Sequence, residues 1–235
     1  MSLRLDRLQQ RIIGVLIEKQ YTVPDAYPMT VNGLVSGCNQ KSNRDPQMQV
    51  EDFEVEGALH ALRDSGWVVL VERDGGRTLR YSHQAKQQLG VDREDLAILS
   101  ELLCRGPQAP GALKTRCSRM APFTSPQEVA ARLRAMAERP VPYVARLPKR
   151  PREQQPRWIH LLDGRSPEEA ISQAGGAPTP TAAPDAASMP TPSTAASPAA
   201  VPTTPAVSEA LEQRIEALEG QLRDLVDRLD RLEGR

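Results

Sequence analysis

The chain has 235 residues, with 30 basic and 30 acidic side chains, so its formal net charge is zero. Neutrality excludes a globally basic, histone-like protein but leaves room for a local basic patch. Hydrophobic residues make up 39% and aromatics only 3%, so a core must be built from Leu, Val, Ile and Ala. A length of this order fits one or two domains at roughly 150 residues each.

An amphipathic helix is predicted from Leu5 to Lys19, with apolar positions at Leu5, Leu8, Ile12, Val15 and Leu16. Its run Ile12 to Ile17 is far short of the roughly 20 residues that cross a bilayer. With no small-residue cleavage site nearby, neither a membrane span nor a signal peptide is expected. A break at Val23-Pro24 to Tyr27-Pro28 precedes a short helix that Thr30 caps, ending near Cys38. A polar loop, Asn39 to Gln47, leads to a third helix from about Glu51 to Ser65. Trp67 to Glu72, a turn at Asp74-Gly75-Gly76 and Arg77 to Tyr81 read as a hairpin.

The same order then recurs. A helix from Asp92 to Arg105 breaks at Gly106-Pro107, and a short helix follows from about Pro110 to Ser118. Ser125-Pro126-Gln127-Glu128 is a capping box with proline at the first helical position, so a third helix starts there. Its stripe Val129, Leu133 and Met136 repeats Val55, Leu59 and Leu62 at a constant spacing of 74 residues. Strands at Tyr143 to Leu147 and Arg157 to Leu162 close the second copy. Three helices and a hairpin form the winged-helix arrangement. The predicted fold is therefore mainly α with small β-hairpins: two tandem winged-helix domains, residues 1–90 and 91–165.

Residues 166–207 collapse to Ala, Pro, Thr and Ser and are expected to be a disordered linker. In residues 208–235, Leu211, Ile215, Leu218, Leu222, Leu225, Leu229 and Leu232 alternate in steps of four and three. Such a seam predicts a coiled-coil helix that makes the chain a homodimer. A lone amphipathic helix folding back on the domains is the plainer alternative. Charge follows the same divisions: residues 91–165 carry 14 basic and 8 acidic side chains, a net of +6.

Glu18-Lys19-Gln20, Tyr27-Pro28-Met29-Thr30-Val31-Asn32 and Cys38-Asn39-Gln40-Lys41-Ser42-Asn43-Arg44-Asp45-Pro46 resemble the YceH-like family of bacterial proteins. Arg105-Gly106-Pro107-Gln108-Ala109-Pro110-Gly111 resembles the second-half motif of that family. The resemblance covers about residues 1–165 and implies tandem winged helices without an assigned biochemical activity. Ala112 stands where that family tends to carry an acid.

No catalytic constellation is visible. His60, His83 and His160 are scattered, no Gly-rich loop joins a strand to a helix, and no metal or cofactor is expected. Cys38, Cys104 and Cys117 are widely spaced and odd in number, which suits reduced thiols in the cytoplasm.

Double-stranded DNA is one expected partner. In the second copy Gln127 and Arg134 face outward, Arg132 and Arg139 flank them, and the hairpin offers Lys149, Arg150, Arg152 and Arg157. These are the groups that phosphate neutralisation needs; the plainer reading is a solvated basic face. A second candidate is the loop Asn39, Gln40, Lys41, Asn43 and Arg44, either as an anion-binding loop or as caps for the flanking helices. The third helix of the first copy opens with Glu51, Asp52, Glu54 and Glu56 and turns Phe53 and His60 outward. That face suits a protein partner, which makes an interaction adaptor the alternative to DNA binding.

Overall fold

Asp6 starts the chain's first helix, α1 (Arg7–Thr22): its carboxylate accepts the Gln9 N–H, and the Gln9 side chain accepts the Asp6 N–H. The structure, a computed structural model, describes residues 4–71, 78–151 and 153–175, with side chains to residue 173. Every residue of α1 from Arg11 to Ile17 is buried, a wider apolar surface than one helical face supplies. Thr30 Oγ1 accepts the Gly33 N–H and caps α2 (Val31–Cys38). Glu51 and Glu54 form a reciprocal capping box at α3 (Asp52–Asp64). Strands β1 (Val68–Val71) and β2 (Arg80–His83) pair antiparallel, with Val68 opposite His83. The second strand runs past the predicted end at Tyr81 because both Tyr81 and His83 turn inward. The predicted turn at Asp74 to Gly76 lies outside the described residues.

An unpredicted short helix, α4 (Ala85–Leu89), ends at Gly90, whose φ of 59° suits a residue without a side chain. The second copy then repeats the first: α5 (Arg93–Arg105), α6 (Pro110–Cys117), α7 (Pro126–Ala137), β3 (Val144–Arg146) and β4 (Trp158–His160). Equivalent positions are buried in both copies. Val55, Leu59 and Leu62 match Val129, Leu133 and Met136, Leu34 and Cys38 match Leu113 and Cys117, and His83 matches His160. In each copy one residue before the second helix pairs with the hairpin, Met29 with Tyr81 and Gln108 with Trp158. At α7 the predicted capping box is only half made. Ser125 Oγ accepts the Glu128 N–H, but Glu128 reaches one residue further back, to the N–H and hydroxyl of Thr124.

The two copies share one core. Helix α1 packs along α5 as well as on its own α2 and α3, which explains its burial all round. At Gly14 the two helices approach so closely that a Cβ would lie 2.7 Å from Cys104 Sγ. There Ser100 Oγ donates to the Gly14 carbonyl at 2.8 Å.

The first part of the stretch expected to be disordered from Ser166 is helical. Residues Pro167–Gly175 form α8, started by Ser166 and Glu169, which cap each other. Ala170 is fully buried and packs with Ala145, Leu147, Ile159 and Leu161, on the side of the second hairpin away from the main core. Apolar burial on that face explains why a helix persists in a segment whose average composition favours disorder. The remainder of the predicted linker and the predicted coiled coil lie outside the described residues.

Candidate nucleic-acid interface

The loop after α2 is built from the inside out. Arg11 is 1% exposed and donates to the carbonyls of Cys38, at 3.1 Å, and Pro46, at 2.8 Å, so it ties both ends of the loop to α1. Arg44, proposed from sequence as an anion contact, is buried. It donates to Gly37 O and Asn43 O and forms an ion pair with Glu18 at 2.7 Å. Burial raises the Glu18 pKa, but the hydrogen bond and charge of Arg44 outweigh it, leaving the carboxyl below its ordinary range. Asn39 clamps Val50 through both its amide groups at 2.8–2.9 Å. The Asp45 N–H donates to Cys104 O of α5. Arg44 and Asn39 are therefore architectural, which is the capping alternative expected for this loop; the particular partners Glu18 and Val50 come from outside it. Lys41 and Asn43 remain exposed and Gln40 half-buried.

The basic face of the second copy divides in the same way. Arg132 donates to Asp92 and Asp95 at 2.7–3.0 Å, bracing α7 against the start of α5. Burial holds Asp95 above its ordinary range even against that hydrogen bond. Arg139 donates to the carbonyls of Leu89 and Gly90 and lies 4.8 Å over the Tyr143 ring. Arg157 pairs with Glu153 at 2.9 Å, and the half-buried Arg150 donates its backbone N–H to the same acid. Arg152 lies outside the described residues. Of the predicted contacts, Gln127, Arg134 and Lys149 are exposed, and no hydrogen bond or ion pair holds their side chains among the described residues.

Gln127 and Arg134 line a groove of about 240 Å³ between α7 and the second hairpin. Arg146 of β3 joins them, exposed and likewise unpaired, above a floor of Pro110, Pro126 and Trp158. Sequence reasoning missed Arg146. Strand alternation carried the signal, since Arg146 shares the face of Val144 and lies one step beyond the core.

On the first copy α3 keeps the predicted outward face. Phe53 is 72% exposed, and His60 and all four leading acids are exposed. The other two histidines are interior. Burial pushes the Cys38 and Cys104 thiols up to about 11 and about 12, and raises Cys117 as well. All three cysteines are free, buried and protonated at neutral pH, which leaves them poor nucleophiles. Among the described residues no three metal-ligating side chains cluster, and no helix is long and apolar enough to cross a membrane.

A fold of two like halves, with a basic groove on one and an acid-rimmed helix on the other, defines a class of duplicated helical proteins with unlike faces. The chain belongs to the family described as "Protein of unknown function, DUF480", whose model matches residues 5–153. It is 43% identical over 180 residues to a UPF0502 protein of Geobacter sulfurreducens, covering 75% of this chain and 82% of that one. A UPF0502 protein of Aeromonas hydrophila is 37% identical over 238 residues, covering both chains in full. One from Paraburkholderia phymatum is 40% identical over 170 residues, 72% of each chain. The resemblance read from the motifs points to this same uncharacterised bacterial family.

Proposed function

We propose that the chain is a non-enzymatic, tandem winged-helix protein of the cytoplasm that binds double-stranded DNA through its second copy. The observation that carries this reading is the groove in which Gln127, Arg134 and Arg146 meet with no partner inside the described chain. Unpaired Arg side chains on one helix and its adjoining hairpin are poised to displace counterions from phosphates. Gln127, at the start of α7, is a group able to read an adenine edge in the major groove. The order of helix, single bridging residue, two helices and hairpin supports the winged-helix assignment.

The test is a salt-titrated affinity for non-specific duplex DNA. Replacing Arg134, Arg146 and Lys149 by Ala should weaken binding for every sequence and flatten the log–log slope by about 0.9 per lost phosphate contact. All three are exposed, so the variant should fold as the wild type does. Binding that persists with an unchanged slope sinks the assignment. The alternative, a protein-interaction adaptor, is favoured by one observation: Phe53, exposed within a ring of acids on α3, where DNA would be repelled.

A further inference from the structure

A second cavity, of about 470 Å³, opens between the two copies and uses none of the groove residues. The first copy supplies Lys41, Ser42 and Asn43 from the loop after α2. The second supplies Arg116 from the end of α6, Arg119 from the turn after it, and Glu101 from α5. Its volume falls within the roughly 300–1,000 Å³ typical of small-molecule sites. The loop arrives pre-shaped, since Arg11, Arg44 and Asn39 anchor its root and the Asp45 N–H docks it on α5. A loop held in this way loses little entropy on binding.

Charge in the cleft is unbalanced. Glu18 is already neutralised by Arg44 and Lys19, at 2.7 and 2.9 Å. Lys41 and Arg119 are exposed and have no ion-pair partner among the described residues. Glu101 is only 9% exposed, and its buried Oε2 lacks a hydrogen-bond partner. Arg105, its nearest ion-pair partner, stands 3.8 Å away. Burial holds this carboxyl above its ordinary range. Glu101 nonetheless lines the cleft and offers it a hydrogen-bond acceptor.

We propose that the cleft binds a small phosphorylated polyol or sugar, with its phosphate on Lys41, Arg116 and Arg119 and a hydroxyl on Glu101. Forked guanidinium groups match phosphate oxygens, and a carboxyl accepts from a hydroxyl. Duplex DNA, a polyanion, gains nothing from a carboxylate inside a concave site.

Calorimetry on the full chain at fixed ionic strength, with ribose 5-phosphate, inorganic phosphate and ribose as probes, tests this. Ribose 5-phosphate should bind saturably, with Kd below about 1 mM, inorganic phosphate more weakly and ribose not at all. Lys41→Ala with Arg119→Ala, both at exposed positions, should weaken ribose 5-phosphate by at least about tenfold. Glu101→Gln should narrow the gap between the sugar phosphate and phosphate; if that variant fails to fold, the exposed pair decides. No saturable binding, equal binding by the double variant, or displacement by a short DNA duplex overturns the proposal. The sugar-phosphate and variant results do not bear on Arg134, Arg146 and Lys149, so the DNA assignment stands or falls on its own salt titration.

Discussion

His83 illustrates how a buried titratable group fixes its own protonation state. The Ala85 N–H donates to its Nδ1 at 3.2 Å, so the ring hydrogen must sit on Nε2, which lies 2.7 Å from Gln20 Oε1. Protonating Nδ1 would set one donor against another in a buried site, and burial lowers the imidazole pKa from 6.5 to about 4. The unfolded chain therefore binds more protons than the folded chain between those values, and stability falls as pH drops through this window. The shift corresponds to about 3 kcal/mol. Urea unfolding of wild type and His83→Gln should show a stability difference at pH 7 that shrinks towards pH 4.5; a constant difference would contradict the neutral assignment. Gly14 makes the complementary point about volume. An alanine there gains about 1 kcal/mol of helix propensity, yet its Cβ would lie 2.7 Å from Cys104 Sγ in a packed interior. Overpacking of that kind costs about 1–3 kcal/mol, so Gly14→Ala should destabilise. Combining it with Cys104→Ala should recover part of the loss in a double-mutant cycle; strict additivity would show that the contact does not limit the packing.

Element by element, the sequence revealed what is periodic and local. The stripes of α3 and α7 were legible because a 3.6-residue period marks the same face in both copies, and Gln127 and Arg134 followed from that face. The partners of Arg132, Arg139 and Arg44, namely Asp92, the Leu89 carbonyl and Glu18, come from other elements and are not legible in the local pattern. Helical periodicity shows which way a side chain points, not what meets it there. Helix α8 was hidden differently. Its start, Ser166-Pro167-Glu168-Glu169, has the pattern of Ser125-Pro126-Gln127-Glu128, but the Ala/Pro/Thr average of residues 166–207 masked it. Burial of Ala170 and partial burial of Ile171 against the second hairpin is worth about 1–3 kcal/mol. A chain ending at Gly164 should therefore unfold cooperatively but be less stable than one ending at Gly175 by that amount, as read from denaturant midpoints. Equal midpoints would mean that α8 contributes nothing to the fold.

At the scale of the molecule, residue 90 divides the repeats but not their core. Arg93 lies 4.6 Å over the Tyr21 ring, Ser100 bonds Gly14, and the loop after α2 rests on α5. The groove of the second copy is thus carried on a body that includes the first, and on the proposed coiled coil the number of grooves per particle would follow from the heptads of residues 208–235. With Ile215, Leu222 and Leu229 at a and the intervening leucines at d, the e positions include Glu219 and Glu233 and the g positions include Arg214 and Arg228. A parallel pair sets Arg214 against Glu219 and Arg228 against Glu233, whereas an antiparallel pair brings like charges together. The expected state is a parallel dimer, in which, on the proposed DNA-binding role, two grooves per particle would raise avidity through effective concentration. Three heptads are short, so association should depend on concentration. Sedimentation of the full chain at micromolar concentration should give a dimer, and Leu222→Asp with Leu225→Asp should give a monomer whose DNA binding weakens without any change at Arg134 or Arg146. A wild-type chain that sediments as a monomer would assign the leucine seam to contacts within its own chain, leaving one groove per particle.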